Sequence, residues 1–276
     1  MIGLFSTLNA QRSDSLRVVN AQWTIDSLDG MVLKHIHFSH NDCLASNQYV
    51  CILEIPSTSS RRLAFSCEPQ RTKTSEQAFK HKAVAAINGS FFDMALHNPI
   101  CYLRINGEEI GINTPQKVDS VHRKYYQYGL VRLSDGRMEL IVPDSGRMWE
   151  RQLEGSDIMT AGPMLVWKGR LVPQRTDKTF VADRHNRTAI GVKNDGTMLF
   201  VTVDGRTKES EGLSLPDLSR LMRYLGCTDA LNLDGGGSTT MYVKGKPNGG
   251  IVNHPSDNRK YDFAGERTVS NCLLVK

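Results

Sequence analysis

The chain of 276 residues is 39% hydrophobic and 23% charged, with 23 Gly and 10 Pro, which excludes disordered, collagen-like and coiled-coil classes. Its 34 basic and 29 acidic residues are interspersed, so the net charge of +5 argues against an electrostatic nucleic-acid binder while leaving a small phosphorylated ligand open. No apolar run approaches the ~18 residues of a membrane span. The six cysteines (Cys43, Cys51, Cys67, Cys101, Cys227 and Cys272) form no CxxC pair and no zinc spacing with histidine, and they read as buried thiols. A disulfide within the Cys43, Cys51 and Cys67 group is an option only for an exported chain.

In chain order, residues 1–15 read as a leader remnant or a frayed start: Ile2, Leu4, Phe5 and Leu8 precede a small-residue stretch without a basic region before them. Residues 18–28 and 31–38, rich in β-branched and aromatic side chains, flank Asp29-Gly30 and predict a hairpin, with a further strand at 49–55. A strand at 62–67 and a helix at 75–82, capped by Thr74 or Ser75, lead into a short apolar run at 83–87 that ends on Asn88-Gly89. Three strand–turn–strand units follow. They are 128–133 with 137–142 around Ser134-Asp135-Gly136, 164–167 with 170–172 around Lys168-Gly169, and 188–193 with 198–203 around Asn194-Asp195-Gly196. Leu218, Leu221, Met222 and Leu225 share one face of a helix at 215–225, with Ser214 as its cap and Gly226 as its stop. An apolar strand at 229–233 then runs into Asp234-Gly235-Gly236-Gly237-Ser238, and Met241-Tyr242-Val243 resembles one more strand. The pattern predicts an α+β fold, mostly antiparallel sheet with a few packed helices. Residues 72–276 form a single compact domain in this reading, and 16–71 a β-rich N-terminal segment.

Four loops place polar residues at predicted strand ends: Asn88-Gly89-Ser90-Phe91-Phe92-Asp93, Arg184-His185-Asn186-Arg187, Asp204-Gly205-Arg206 and Asp234-Gly235-Gly236-Gly237-Ser238-Thr239. Each alone is explained by turn chemistry. Together they suggest a site. The glycine run lets backbone N–H groups turn toward an anion, with the Ser238 and Thr239 hydroxyls as extra donors. It is not a Walker loop, since no Lys follows, and GxGxxG is absent, so no nucleotide cofactor is expected. Asp204 and Asp234 each end an apolar run and are the best candidates for a working carboxylate pair, because a drier carboxyl keeps its proton while its partner stays ionised. Arg187 and Arg267 are candidate bidentate clamps or surface ion-pair partners. Asn88 either orients a substrate hydroxyl or acetamido group or caps a turn. A GxSxG elbow is missing. Asp183-Arg184-His185 has the Asp-x-His look of a metal site without the companion motifs, so no metal is expected. Among the histidines His35, His37 and His40 read as structural or surface residues, and His254 in Asn253-His254-Pro255 is kept as a site candidate.

Seven segments in order carry a resemblance: Ala86-Ile87-Asn88-Gly89-Ser90-Phe91-Phe92-Asp93, Ala161-Gly162-Pro163-Met164-Leu165-Val166, Arg187-Thr188-Ala189-Ile190-Gly191-Val192, Val203-Asp204-Gly205-Arg206, Leu213-Ser214-Leu215-Pro216-Asp217-Leu218, Ala230-Leu231-Asn232-Leu233-Asp234-Gly235-Gly236-Gly237-Ser238 and Glu266-Arg267-Thr268-Val269-Ser270-Asn271. The series is similar to that of the phosphodiester glycosidase domain family. The resemblance implies a hydrolase that cleaves the glycosidic bond of a sugar 1-phosphodiester, such as an N-acetylglucosamine 1-phosphodiester, with no cofactor. It implies catalytic Asp93, Asp204 and Asp234, and substrate contacts from Asn88, Arg187, Gly235, Gly236, Gly237, Ser238, Thr239, Glu266 and Arg267. In this division Arg187, Arg267 and the glycine-loop amides hold phosphate, and Asp204 and Asp234 act at the anomeric carbon. The family's typical substrates imply an extracytoplasmic (periplasmic or secreted) setting, and the lack of an anchor or cysteine-rich appendage in the sequence favours a bacterial member. Rival readings are a non-catalytic glycan or polyanion binding module and a metal-dependent phosphodiesterase.

Overall fold

A computed structural model describes residues 13–113, 125–143, 148–174 and 179–276. The expected leader remnant falls mainly at 1–12, outside the described residues. Three antiparallel sheets make the fold, in agreement with the α+β expectation. The eight-stranded sheet runs β1 (Thr24–Leu28), β2 (Met31–Cys43), β3 (Ser46–Ile55), β14 (Met198–Val203), β13 (Arg187–Lys193), β15 (Cys227–Asn232), β11 (Met164–Trp167) and β12 (Arg170–Leu171). A five-stranded sheet holds β7 (Glu108–Gly111), β6 (Leu103–Ile105), β10 (Asp157–Ala161), β8 (Gly129–Ser134) and β9 (Arg137–Ile141). A four-stranded sheet holds β16 (Met241–Val243), β5 (Ala85–Asn88), β17 (Thr268–Val275) and β4 (Leu63–Lys73).

The period-2 alternation of strands decides which face each residue feeds. On β14, Met198 and Phe200 point into a core shared by all three sheets, with Leu53 of β3, Ile87 of β5, Val131 of β8 and Leu273 of β17. Leu199, Val201 and Val203 point the other way, into a second cluster with Leu215, Leu218, Leu221 and Met222 of helix α4 (Leu215–Tyr224). That helix starts where the Ser214 hydroxyl accepts from the Asp217 N–H at 3.2 Å, with Pro216 in the first turn. The expected tight turns are present: Asp135 and Gly136 both have positive φ, 50° and 71°, as a two-residue hairpin turn requires.

Two expectations at the N-terminal end are revised. Residues 13–19 form helix α1 in place of a strand beginning at 18, and buried Val18 joins the α4-side cluster, so the apolar residue there packs a helix against the sheet. The β-rich segment is also woven into the fold: β3 pairs with β14 from Val50 to Ile55, and β4 pairs with β17 from Leu63 to Lys73. Helix α2 (Thr74–Lys80) covers the outer face of the four-stranded sheet, with Ala78 buried among Ala86, Cys272 and Leu274. All six cysteines are free thiols, so the optional disulfide is not formed. No described helix is long and apolar enough to cross a membrane.

This topology positions the site. β13 lies between β14 and β15, Arg187 pairs with Val203, and the Leu233 N–H donates to the Thr188 carbonyl at 2.9 Å. Asp204 and Asp234 therefore leave the same edge of one sheet, two strand spacings apart, a backbone separation of about 10 Å.

Candidate functional site

Asp234 is followed by three glycines, and each has another group packed close against its backbone. A Cβ on Gly235 would lie 2.7 Å from the Asn186 carbonyl oxygen, one on Gly236 2.7 Å from a terminal nitrogen of Arg206, and one on Gly237 2.5 Å from both Arg267 and Asp257. The glycine run is thus a seat for two guanidinium groups. Most of the expected anion nest is closed, because four of the loop amides are spent internally: Gly235 N–H donates to the Asp234 carboxylate at 2.9 Å, Gly236 N–H to the Asn186 carbonyl at 2.9 Å, and Ser238 and Thr239 N–H back to the loop carbonyls. The Asn186 side chain contacts Ser256 at 3.0 Å, tying the 253–257 segment to the loop from below.

Arg267 is held by Asp257, to which its Nε donates at 2.8 Å. Arg206 is exposed on one side, rests on Gly236 with the other, and among the described residues makes no hydrogen bond or ion pair. Its pKa is lowered, first by desolvation and then by the like charges of Arg267 and Arg259. A guanidinium in that position gains by binding an anion, which restores the lost hydration and screens its neighbours. Sequence reasoning missed Arg206 as a binding group, since an arginine in an Asp-Gly-Arg turn looks like an ordinary surface residue. Its signature was Gly236, 30 residues away.

Asp234 lies under these arginines. Its backbone is fixed to the end of β5, the N–H donating to the Gly89 carbonyl at 3.1 Å and the carbonyl accepting from Asn88 Nδ2 at 2.7 Å. Desolvation pushes the Asp234 carboxyl up to about 6, against the downward pull of the Ser238 hydroxyl, Arg267, the Gly235 N–H and Arg206. The Ser238 hydroxyl is fully buried beside that carboxyl and has no other hydrogen-bond partner among the described residues, so it supports Asp234 from within the fold. A carboxyl near neutrality, next to cations and in a partly dry cleft, is what proton transfer to a bound anion needs.

Asp204 is in a different state. It is 1% exposed, with Oδ1 accepting from Asn253 Nδ2 at 2.9 Å and Oδ2 accepting from the His254 backbone N–H at 2.9 Å and hydrogen-bonded to His254 Nδ1 at 2.8 Å. Burial raises its pKa, and His254 and Asn253 oppose that rise. The expectation that Asp204 itself meets the anomeric carbon fails, because both oxygens are occupied inside the protein. The site's two aspartates are joined through a buried network: Asn253 Nδ2 also donates to the Thr239 carbonyl at 3.1 Å, and Thr188 Oγ1 bridges Thr239 Oγ1 (3.2 Å) and Asn88 Oδ1 (2.9 Å).

Several expected site residues have other work. Arg187, 1% exposed, donates from Nε to the Leu213 carbonyl at 2.7 Å and from a terminal nitrogen to the carbonyls of Phe180 (2.8 Å) and Asp183 (3.0 Å), and it packs over the Phe180 ring. Strand alternation turns it to the α4 side of the sheet, away from Thr188 and the network, so it braces loops and does not clamp phosphate. Asn88 has both ends of its amide in use, on Asp234, Thr188 and Thr240. Thr239 turns its hydroxyl beneath the loop onto Thr188. Glu266 accepts from the Ser75 N–H at 2.8 Å and the Ser75 hydroxyl at 2.7 Å, tying down the start of α2. Asp93 accepts from the amides of Ala95 and Leu96 at 2.7 and 2.8 Å, closing its own turn, and that bonding holds its carboxyl below the usual range. What the structure brings together is Asp234, Ser238 and the glycine seat, Arg206, Arg267 and the Asp204–His254 pair.

Several known proteins are similar to this chain. A prophage-derived uncharacterised protein of Bacillus subtilis, YomE, is 29% identical over 205 residues, which is 70% of this chain and 29% of that protein. The mouse N-acetylglucosamine-1-phosphodiester alpha-N-acetylglucosaminidase is 37% identical over 78 residues, 28% of this chain and 14% of the enzyme, so the matches take in under a third of these relatives' lengths. The catalytic domain of the zebrafish enzyme of the same name superposes with a TM-score of 0.65 over 97% of this chain and 92% of that chain, at 17% identity. A protein of Synechocystis has the same fold, with a TM-score of 0.62 at 17% identity over 92% of this chain and 63% of that one. The family model of phosphodiester glycosidase matches residues 81–276, from the end of α2 through β17, and takes in every residue of the site; the chain belongs to the phosphodiester glycosidase family.

Proposed function

We propose that this protein hydrolyses the glycosidic bond of a sugar 1-phosphodiester, with N-acetylglucosamine as the sugar suggested by the family. The observation that carries this reading is the Asp234 carboxyl, pushed up to about 6, beneath the Arg206 and Arg267 guanidinium groups on the glycine seat. In the reading, Arg206 and Arg267 hold the phosphate oxygens and stabilise the charge that grows as the phosphate departs. Asp234, still protonated below about pH 6, donates to the departing oxygen. The substrate class suggests an extracytoplasmic setting. A binding module would have no use for a carboxyl held near neutrality beside the anion seat. A metal-dependent phosphodiesterase would attack phosphorus from a cluster of ligands, and among the described residues no three His, Cys, Asp or Glu side chains gather for one.

The test is incubation with methyl and benzyl diesters of sugar 1-phosphates. Release of free sugar and a phosphomonoester by the wild type, reduced about 10²-fold or more in Asp234→Asn, supports the reading. Binding without cleavage across the panel refutes it.

A further inference from the structure

We infer that His254 is a second catalytic group of this site, a base whose Nε2 takes a proton from the water that attacks the sugar, with Asp204 as its positioning residue; the inference rests on the hydrolase reading above. Four observations converge on it. Asp204 Oδ2 accepts from the backbone N–H of His254 and lies 2.8 Å from Nδ1; an ionised Asp204 can only accept, which places the imidazole proton on Nδ1. The lone pair is therefore on Nε2. The ring is held on its faces and edge by aromatic neighbours: Tyr261 stacked at 3.9 Å and 18°, Phe263 at 4.4 Å, and Tyr49 edge-on at 4.7 Å and 78°. Rotation about its side chain is blocked, which is the investment that a directed proton transfer needs and a surface histidine does not.

The free nitrogen opens outward. Among the described residues Nε2 has no hydrogen-bond partner, and it is not one of the buried polar atoms left unpaired, so it reaches solvent although the residue is only 8% exposed. It also belongs to the same two segments that carry the anion seat: Arg206 lies two residues after Asp204, and Asp257, the partner of Arg267, lies three after His254. In the inferred step a water O–H bond breaks and its proton goes to Nε2. The water oxygen bonds to the anomeric carbon, and the bond from that carbon to the phosphate oxygen breaks with its electron pair leaving on the phosphomonoester. Asp234 protonates that oxygen; afterwards His254 returns its proton to solvent and Asp234 takes one up, which resets the site.

The groups facing the imidazole are Asp204 from the end of β14, His35 from β2, Tyr49 from β3 with Cys51 next to it, and Tyr261 and Asp262 from the 257–265 loop. Burial holds Tyr49, Cys51 and Tyr261 neutral, and burial together with the charge of His254 lowers His35. A general base acts only in its unprotonated form and a general acid only in its protonated form, so the two roles set opposite limbs of the rate against pH, the alkaline one belonging to Asp234.

The experiment measures kcat, KM and the pH profile of wild type, His254→Asn and His254→Ala on the benzyl diester of N-acetylglucosamine 1-phosphate, with thermal unfolding as a control. The expected result is a kcat about 10²- to 10⁴-fold lower, a KM within about threefold, loss of the acidic limb with the alkaline limb kept, and partial rescue of His254→Ala by added imidazole. Asp204→Asn should lower kcat and shift the acidic limb, and it serves if the histidine variants fold poorly. A wild type that cleaves while folded His254→Asn keeps more than about a fifth of its kcat and an intact acidic limb overturns this inference alone. A wild type that cleaves no diester overturns the hydrolase reading and this inference with it.

Discussion

Asp234→Asn should make the protein more stable while removing its activity. The folded carboxyl has a pKa raised from 3.8 to about 6, because desolvation outweighs the attraction of Arg206 and Arg267. At about 1.36 kcal/mol per unit, ionising it in the fold costs on the order of 3 kcal/mol that the unfolded chain does not incur. The sign follows from proton binding. Between pH 4 and 6 the folded state keeps a proton that the unfolded state has released, so stability falls as pH rises through this window and then stays level. The neutral amide removes the cost, and the variant should gain up to about 3 kcal/mol over wild type at pH 8 and nothing at pH 3.5. Urea denaturation of both proteins at the two pH values reads the difference directly. A gain that is absent at pH 8, or equal at both values, would refute the claim that the site holds this carboxyl in a desolvated, high-energy state.

Arg206→Ala should raise KM for a sugar 1-phosphodiester at least about tenfold and weaken inhibition by a phosphomonoester product, both read from steady-state kinetics, since a charge-assisted contact to phosphate is lost. Gly236→Ala should have a similar effect without touching a charge, because its Cβ would meet the Arg206 guanidinium at 2.7 Å and its φ of 61° strains any side chain. Arg187→Lys should lower stability by about 2–4 kcal/mol, measured by denaturation, because one ammonium cannot serve the carbonyls of Leu213, Phe180 and Asp183, while KM of the folded fraction stays near wild type. Glu266→Gln should cost about 1 kcal/mol through the start of α2 and leave kcat within about twofold; a large loss of kcat would return Glu266 to the site.

The strands and the sheet edge were legible because alternating apolar runs and Asp-Gly turns are local. Met198 to Val203 is an apolar run that ends on Asp204, and Ala230 to Leu233 one that ends on Asp234, and both aspartates do leave one edge. The face of Arg187 was equally legible and was misjudged: Thr188 and Ile190 alternate with Arg187 and Ala189, so an arginine beside a network threonine must point to the other side. The partners of Asp204 were not legible, because His254 lies 50 residues away and is brought in by the 253–257 segment tied through Asn186 and Thr239. The glycines point in sequence to the close approach of an anion, whereas the groups packed on them in the fold are the Asn186 carbonyl at Gly235, Arg206 at Gly236, and Arg267 with Asp257 at Gly237. A triple glycine cannot by itself say which.

The account's central claim is that the bond to the anomeric carbon is the one that breaks. Hydrolysis of N-acetylglucosamine 1-benzyl phosphate in oxygen-18 water, followed by mass spectrometry of both products, tests it directly. The account predicts heavy oxygen in the released sugar and none in the phosphomonoester; heavy oxygen in the phosphate would mean attack at phosphorus and would contradict it.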